Sequence, residues 1–155
     1  MAELLRLYRT RVAAGATQGG TDREGDEVAV TPYRVALVVW RLPRPNPSSN
    51  VHWRTKHRDR QKWVVLMRDA LGPKLHPPLE HAKVTFTRFS SREPDSDNLV
   101  ASFKLVRDLL MVAGKRNAGG LGLIVDDSPA HLEAVYAWKA AKPNQGRIEI
   151  VVEER

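Results

Sequence analysis

Residues 82–113 read AKVTFTRFSSREPDSDNLVASFKLVRDLLMVA, and the fold class turns on this stretch. Its first part, AKVTFTRF over 82–89, alternates apolar and polar residues with Val84 and Phe86 on one face, the pattern of a half-buried strand. The polar SSREPDSD follows. A helical period then begins near Asn98 and runs to Ala113. On it, Leu99, Phe103, Val106, Leu110 and Ala113 fall within about 80° when each residue advances 100°. Strand, loop and amphipathic helix in this order supply one β-α step of a larger pattern.

Upstream, YRVALVVW at 33–40 is a near-continuous apolar run of β-favouring residues and predicts a buried strand. The loop PRPNPSSN at 43–50 contains three prolines, which preclude a regular helix. From about Thr55 to Leu71 the period is helical again, with Trp63, Leu66, Met67, Ala70 and Leu71 inward and Gly72-Pro73 as the stop. Downstream, GKRNAGGL at 114–121 is a Gly-rich connection, and 122–125 is a short apolar run ending in Asp126-Asp127. HLEAVYAW at 131–138 and RIEIVVE at 147–153 read as strands joined by the turn KPNQG. The order β-α-β-α-β-β predicts an α+β domain with a small mixed β-sheet and two main helices over residues 30–155. Residues 1–29 read as a flexible N-terminal arm, because 15–27 are polar, Gly-rich and without periodicity.

At 155 residues the chain is long enough for one core. It contains no cysteine, which excludes disulfides, thiolate zinc sites and cysteine nucleophiles. No run approaches the length of a membrane span. Arg6, Arg9 and Arg11 interrupt the apolar N-terminus, so it does not read as a signal peptide, and the expected setting is cytoplasmic. Net charge is +7, and residues 41–62 alone carry seven basic groups against Asp59. Such clustering suits a polyanion, since Lys and Arg release counterions from phosphates. The plainer alternative is a solvated basic face.

Four aspartates are the chemical candidates. Asp95 and Asp97 flank Ser96 where a loop becomes a helix, and Asp126-Asp127 end an apolar run. Carboxylates converging from separate elements suit Mg²⁺, a hard cation that takes one or two carboxylates and keeps several waters. Asp97 as a helix cap, and Asp126-Asp127 as a turn, are the structural alternatives. Asp97, Lys104 and Asp108 share the stripe opposite the apolar face, with small Ala101 between Asp97 and Lys104. Helical side chains lean toward the N-terminus, so Lys104 can reach back toward Asp97. Lys104–Asp108 also has the spacing of an ordinary surface pair. Trp63 reads as core and Trp53 as a residue able to stack on a base.

PDSDNLVASFKLVRDLL at 94–110 and VDDSPAHLEAVYAWK at 125–139 resemble the RusA-type Holliday junction resolvases. The Pro/Ser/Asn loop followed by HWRTKHRDRQKW at 52–63 resembles the family's substrate-facing segment. The resemblance spans about 33–153. It implies a RusA-like fold and a homodimeric endonuclease, dependent on Mg²⁺ or Mn²⁺, that cuts four-way junctions or other branched DNA. It further implies metal ligation by Asp95, Asp97 and Asp127 with Asp126 adjacent. Contacts to DNA would come from Arg44, Asn50, Arg54, Lys56, His57, Arg58, Arg60 and Lys62. The family's usual lysine four residues after the second aspartate is replaced by Ala101, which leaves Lys104 as the candidate catalytic cation. Two other readings fit the residues: a non-catalytic DNA-binding protein using the same basic segment, and a phosphohydrolase acting on nucleotides or RNA.

Overall fold

The computed structural model describes residues 34–43, 52–72, 77–115 and 117–155. The proposed arm at 1–29, together with Arg44 and Asn50, lies outside the described residues. Strands β1 (Arg34–Val39), β2 (Ala82–Ser90), β3 (Leu132–Ala140) and β4 (Arg147–Glu154) form one sheet in the order β1-β4-β2-β3. β4 is antiparallel to both β1 and β2, whereas β2 and β3 are parallel. Helix α1 (Trp53–Leu71) joins β1 to β2, and α2 (Ser96–Ser102) with α3 (Lys104–Leu110) crosses from β2 to β3. This is the expected α+β architecture with a small mixed sheet.

Side chains alternate across the sheet as a period of two requires. Leu37, Ile150, Phe86 and Tyr136 stand in one row across all four strands, and the first three are fully buried. Onto this face α1 brings Trp63, Val64 and Met67, and the crossover brings Phe103, Val106, Leu109 and Leu110, making one core. The opposite face carries ion pairs such as Arg34–Glu153 at 3.1 Å.

Two expectations change. The described helices cover one face of the sheet, so only alternate members of the β1 apolar run are covered: Leu37 and Val39 are buried, while Val38 is exposed. The single helix expected over 98–113 is two short helices hinged at Phe103. The Ser102 hydroxyl donates to the Leu99 carbonyl at 2.7 Å, and the Phe103 N–H takes the Val100 carbonyl at 3.1 Å, a tighter turn than the α-helical one. Phe103 is thereby set against Phe86 and Tyr136, with ring centroids 5.2 Å and 6.0 Å away.

The second helix also stops early, at Leu110, and Ala113 is exposed rather than core. The returning chain supplies the reason. N–H groups of Leu121 and Leu123 donate to the carbonyls of Leu109 and Leu110 at 2.7 and 2.8 Å, satisfying the helix end. The close approach needs Gly120, where a Cβ would lie 2.4 Å from the Met111 carbonyl oxygen. Before β2 and β3, His81 and His131 form a reciprocal clasp. Each ring's Nδ1 meets the carbonyl of the residue preceding the other histidine, at 3.2 and 2.8 Å.

Phe103→Ala should destabilise the fold by about 3–5 kcal/mol, the range for truncating a fully buried phenylalanine. Equilibrium urea unfolding measures it, and a loss below about 1 kcal/mol would show that the hinge does not anchor the crossover.

Candidate functional site

Helix α1 has one covered and one open side. Arg54, His57, Arg58, Lys62 and Arg68 are exposed, and Lys56 is exposed in its first turn. That first turn holds no acidic residue to complement the positive helix end. His52 caps it instead, its Nδ1 accepting from the Arg54 N–H at 3.2 Å. Trp53 is exposed, with the Arg54 guanidinium 5.4 Å from its ring centre. Arg41, Arg58 and Lys62 line a shallow groove of about 440 Å³ with Gln61, Val65 and Leu66. A cationic helix end, an exposed indole and a cation-lined groove together can hold a phosphate backbone and stack a base.

Arg60 does not share that role. Its Nε donates to the Ala118 carbonyl at 3.3 Å and its Nη2 to the Asn117 amide oxygen. Asn117 in turn donates to the Asp108 carbonyl at 2.8 Å. Arg60 therefore ties α1 to the 117–118 turn and the end of α3, a structural use that a linear reading of the basic segment assigned to DNA.

The aspartates fall into two groups. Asp95 caps α2 by position without a side-chain cap bond, and accepts a long 3.4 Å bond from the Asn98 amide. Asp97 follows in the first turn, exposed, with no hydrogen bond or ion pair among the described residues. Both residues are exposed, and apart from the long Asn98 bond to Asp95 their carboxylates have hard oxygen donors of the kind that suit a Mg²⁺ ion retaining waters. Lys104 opens α3 and is exposed, as its stripe predicts.

Asp127 belongs to the second group. Its Oδ2 lies 3.1 Å from Nε of Arg107, near the end of α3, and the Arg107 Nη1 reaches the Tyr136 hydroxyl at 3.5 Å. Among the described residues, no three carboxylates or imidazoles gather at metal-binding spacing. Asp126 serves its own turn. The Ser128 hydroxyl and the Asp127 N–H hold its carboxyl below the usual carboxylate range, the latter bond being 2.9 Å. Between the adjacent aspartates, Asp127 is the one not consumed by the turn.

Asp108 and Arg107 did not stand out from the sequence as site residues. Asp108 points away from the apolar sector by helical angle, yet it is half-buried near Arg60, Lys104, Arg107 and Asp127. Burial pushes its carboxyl above the usual range, and the Asp127 charge adds to this. Lys104, Arg107 and Arg60 oppose it. Arg107 lies about 80° from Leu99, at the margin of the apolar sector, and a cation there was the available signal. Comparison with protein-family models, curated proteins and solved structures gives no match to this chain. No helix among the described residues is long and apolar enough to cross a membrane.

Two outcomes follow. A raised carboxyl pKa means the folded state holds the proton more tightly, so stability from Asp108 is present below the unfolded pKa and lost as pH rises through the folded one. Asp108→Asn should therefore gain stability relative to wild type as pH rises through the carboxylate range, measured by urea unfolding at several pH values; a constant difference would refute the shift. Separately, Arg58→Ala with Lys62→Ala should make the log–log salt dependence of DNA affinity shallower by about two units, one per phosphate contact. Arg60→Ala should leave that slope unchanged and destabilise the fold by about 1 kcal/mol.

Proposed function

We propose that this chain is a metal-dependent, structure-selective DNA endonuclease that acts on four-way junctions or other branched DNA, in line with its resemblance to the RusA-type resolvases. The observation that carries the reading is the open Asp95/Asp97 pair at the start of α2, with Lys104 exposed farther along the same crossover and a basic open side on α1. Carboxylates left free in a protein that gathers phosphates serve no purpose in binding alone, because they repel the backbone. They serve hydrolysis by holding a cation. Mg²⁺ or Mn²⁺, when bound, supplies a nucleophilic water and neutralises charge on the scissile phosphate.

Each residue set then has one task. Asp95 and Asp97 would hold the cation. Lys104 contributes a positive charge where negative charge develops on the phosphate. Arg54, Lys56, His57, Arg58 and Lys62, with Arg41, hold the backbone without reading sequence, so selectivity rests on DNA shape. Arg44 and Asn50, which precede α1 in the sequence and lie outside the described residues, would extend this contact. Two copies related by a two-fold axis would place two such sites on a symmetric junction and give paired cuts. The non-catalytic DNA-binding reading has one observation in its favour, the neutralisation of Asp127 by Arg107. The open groove argues against a small-nucleotide pocket.

Incubation of a labelled four-way junction and a linear duplex, with and without Mg²⁺, is the decisive assay. Junction nicking only with metal is expected. Asp97→Asn should abolish nicking and retain or tighten binding in a gel-shift measurement. Lys104→Ala should slow nicking by about one to three orders of magnitude. Junction binding by wild type without any nicking across Mg²⁺ and Mn²⁺ would favour the non-catalytic reading instead.

A further inference from the structure

The strands of the sheet carry three arginines. Arg34 and Arg147 lie on its open face, and each meets a glutamate at 3.1 Å, Glu153 and Glu149 respectively. Arg88 is placed differently. It stands on the helix-covered face of β2, two residues beyond Phe86, between Ile148 of β4 and Trp138 of β3. Among the described residues no carboxylate pairs with it, and burial lowers its guanidinium from the ordinary value with no charged neighbour to offset the effect. Its Nη1 donates to the Pro43 carbonyl at 3.0 Å, while its Nε is buried and has no hydrogen-bond partner. Pro43 is itself buried and lies two residues beyond Arg41, which lines the cationic groove with Arg58 and Lys62. A half-buried guanidinium with a neutral partner and no anion is costly, since removing a charge from water is offset only by pairing it. The Pro43 bond does not explain it, because a neutral amide could donate there without burying a charge. With Nη1 taken, Nε and Nη2 remain, the two donors along one edge that suit bidentate binding of a phosphate.

We propose that Arg88 is a phosphate-binding residue, and that a backbone phosphate of DNA held along the α1 groove is the anion its guanidinium lacks. The inference rests on the DNA-binding part of the endonuclease reading, adds a residue which that reading does not use, and needs no metal. Arg58 and Lys62 are exposed, so each exchanges water for phosphate with modest gain. Arg88 has already lost much of its water on folding. A phosphate that reaches it meets a charge in a less polar setting, where attraction is stronger. Arg88 also stands on a strand and is tied to Pro43, whereas the cations of α1 are exposed and free to adapt. Its phosphate therefore fixes the register of the backbone that the α1 cations hold more loosely. The free protein gives up stability by burying this charge and recovers it in the complex.

The test pairs urea unfolding with DNA binding, both on the full chain in buffer containing EDTA so that no metal takes part. Arg88→Gln keeps a donor for Pro43 and removes the charge, and Arg88→Met removes both. Arg88→Gln should unfold at a urea midpoint equal to or above that of wild type. Its affinity for a labelled four-way junction should fall about tenfold or more, the scale of one charge-assisted hydrogen bond. Its log–log salt dependence should become shallower by about one unit. Arg88→Lys should keep the wild-type slope and only part of the affinity, because it has the charge without the planar fork. Wild-type affinity and slope in Arg88→Gln overturn the proposal and leave the DNA-binding reading intact. Affinity lost with an unchanged slope also overturns it, since no phosphate contact has then been removed. A lowered urea midpoint in both Arg88→Gln and Arg88→Met overturns it as well, because the charge would then stabilise the free protein. Failure of wild type to bind either the junction or a linear duplex overturns this proposal and the DNA-binding reading together.

Discussion

The contact of Phe103 with Phe86 and Tyr136 is the constraint on which the rest of the molecule depends. Phe86 sits on β2, which like β4 is hydrogen-bonded on both sides, in a row with Leu37, Ile150 and Tyr136. Its ring is 5.2 Å from both Phe103 and Tyr136 and stacks nearly parallel to the latter. One aromatic cluster thus joins the central strand, the parallel edge strand and the crossover between them. Because Phe103 is also the hinge between α2 and α3, fixing its ring fixes where each short helix points. Asp95 and Asp97 extend from one side of that hinge, and Arg107 and Asp108 from the other. The geometry of the candidate site is therefore set by an apolar contact that contains none of its residues.

A second constraint is the division of cations. The basic segment is uniform in sequence, but a helix separates its members by angle. Arg58 and Lys62 face outward beside Arg41 in a groove, while Arg60, two residues from each, turns in and is spent on Asn117 and Ala118. The consequence is a mechanical link. The helix that would carry DNA is bonded to the turn that holds the Asp108 carbonyl, one residue from Arg107. The basic open side of α1 and the end of α3 that carries Asp108 are joined by hydrogen bonds rather than only by proximity.

Legibility followed periodicity. The alternation in β2 and β4, and the inward Trp63, Met67, Val106 and Leu110, came directly from spacing, because burial on one face imposes a period that sequence displays. β1 misled because its apolar run fits a strand covered on two faces, and only the packing of the helices shows that one face is covered. The break at Phe103 was hidden since a serine's bond to its own helix leaves no mark on the apolar period. The exposed Asp95, Asp97 and Lys104 were legible from residue type and from the stripe opposite the apolar face. The commitment of Asp127 to Arg107 was not, because the two are twenty positions apart and meet through the chain's return past Gly120.

The sequence by itself determined the order of strands and helical segments, the apolar face of β2, β4 and α1, and the concentration of positive charge before and within α1. These are local properties, written in turn residues and in periods of two and 3.6. Tertiary structure alone decided which charges are free and which are paired. Asp126 bonds its own turn, Asp127 faces Arg107, Arg60 anchors a loop, and Asp97 stays open. Ionic partners are chosen by distance in space, which falls off within a few ångströms and has no period along the chain, so no spacing rule could announce them.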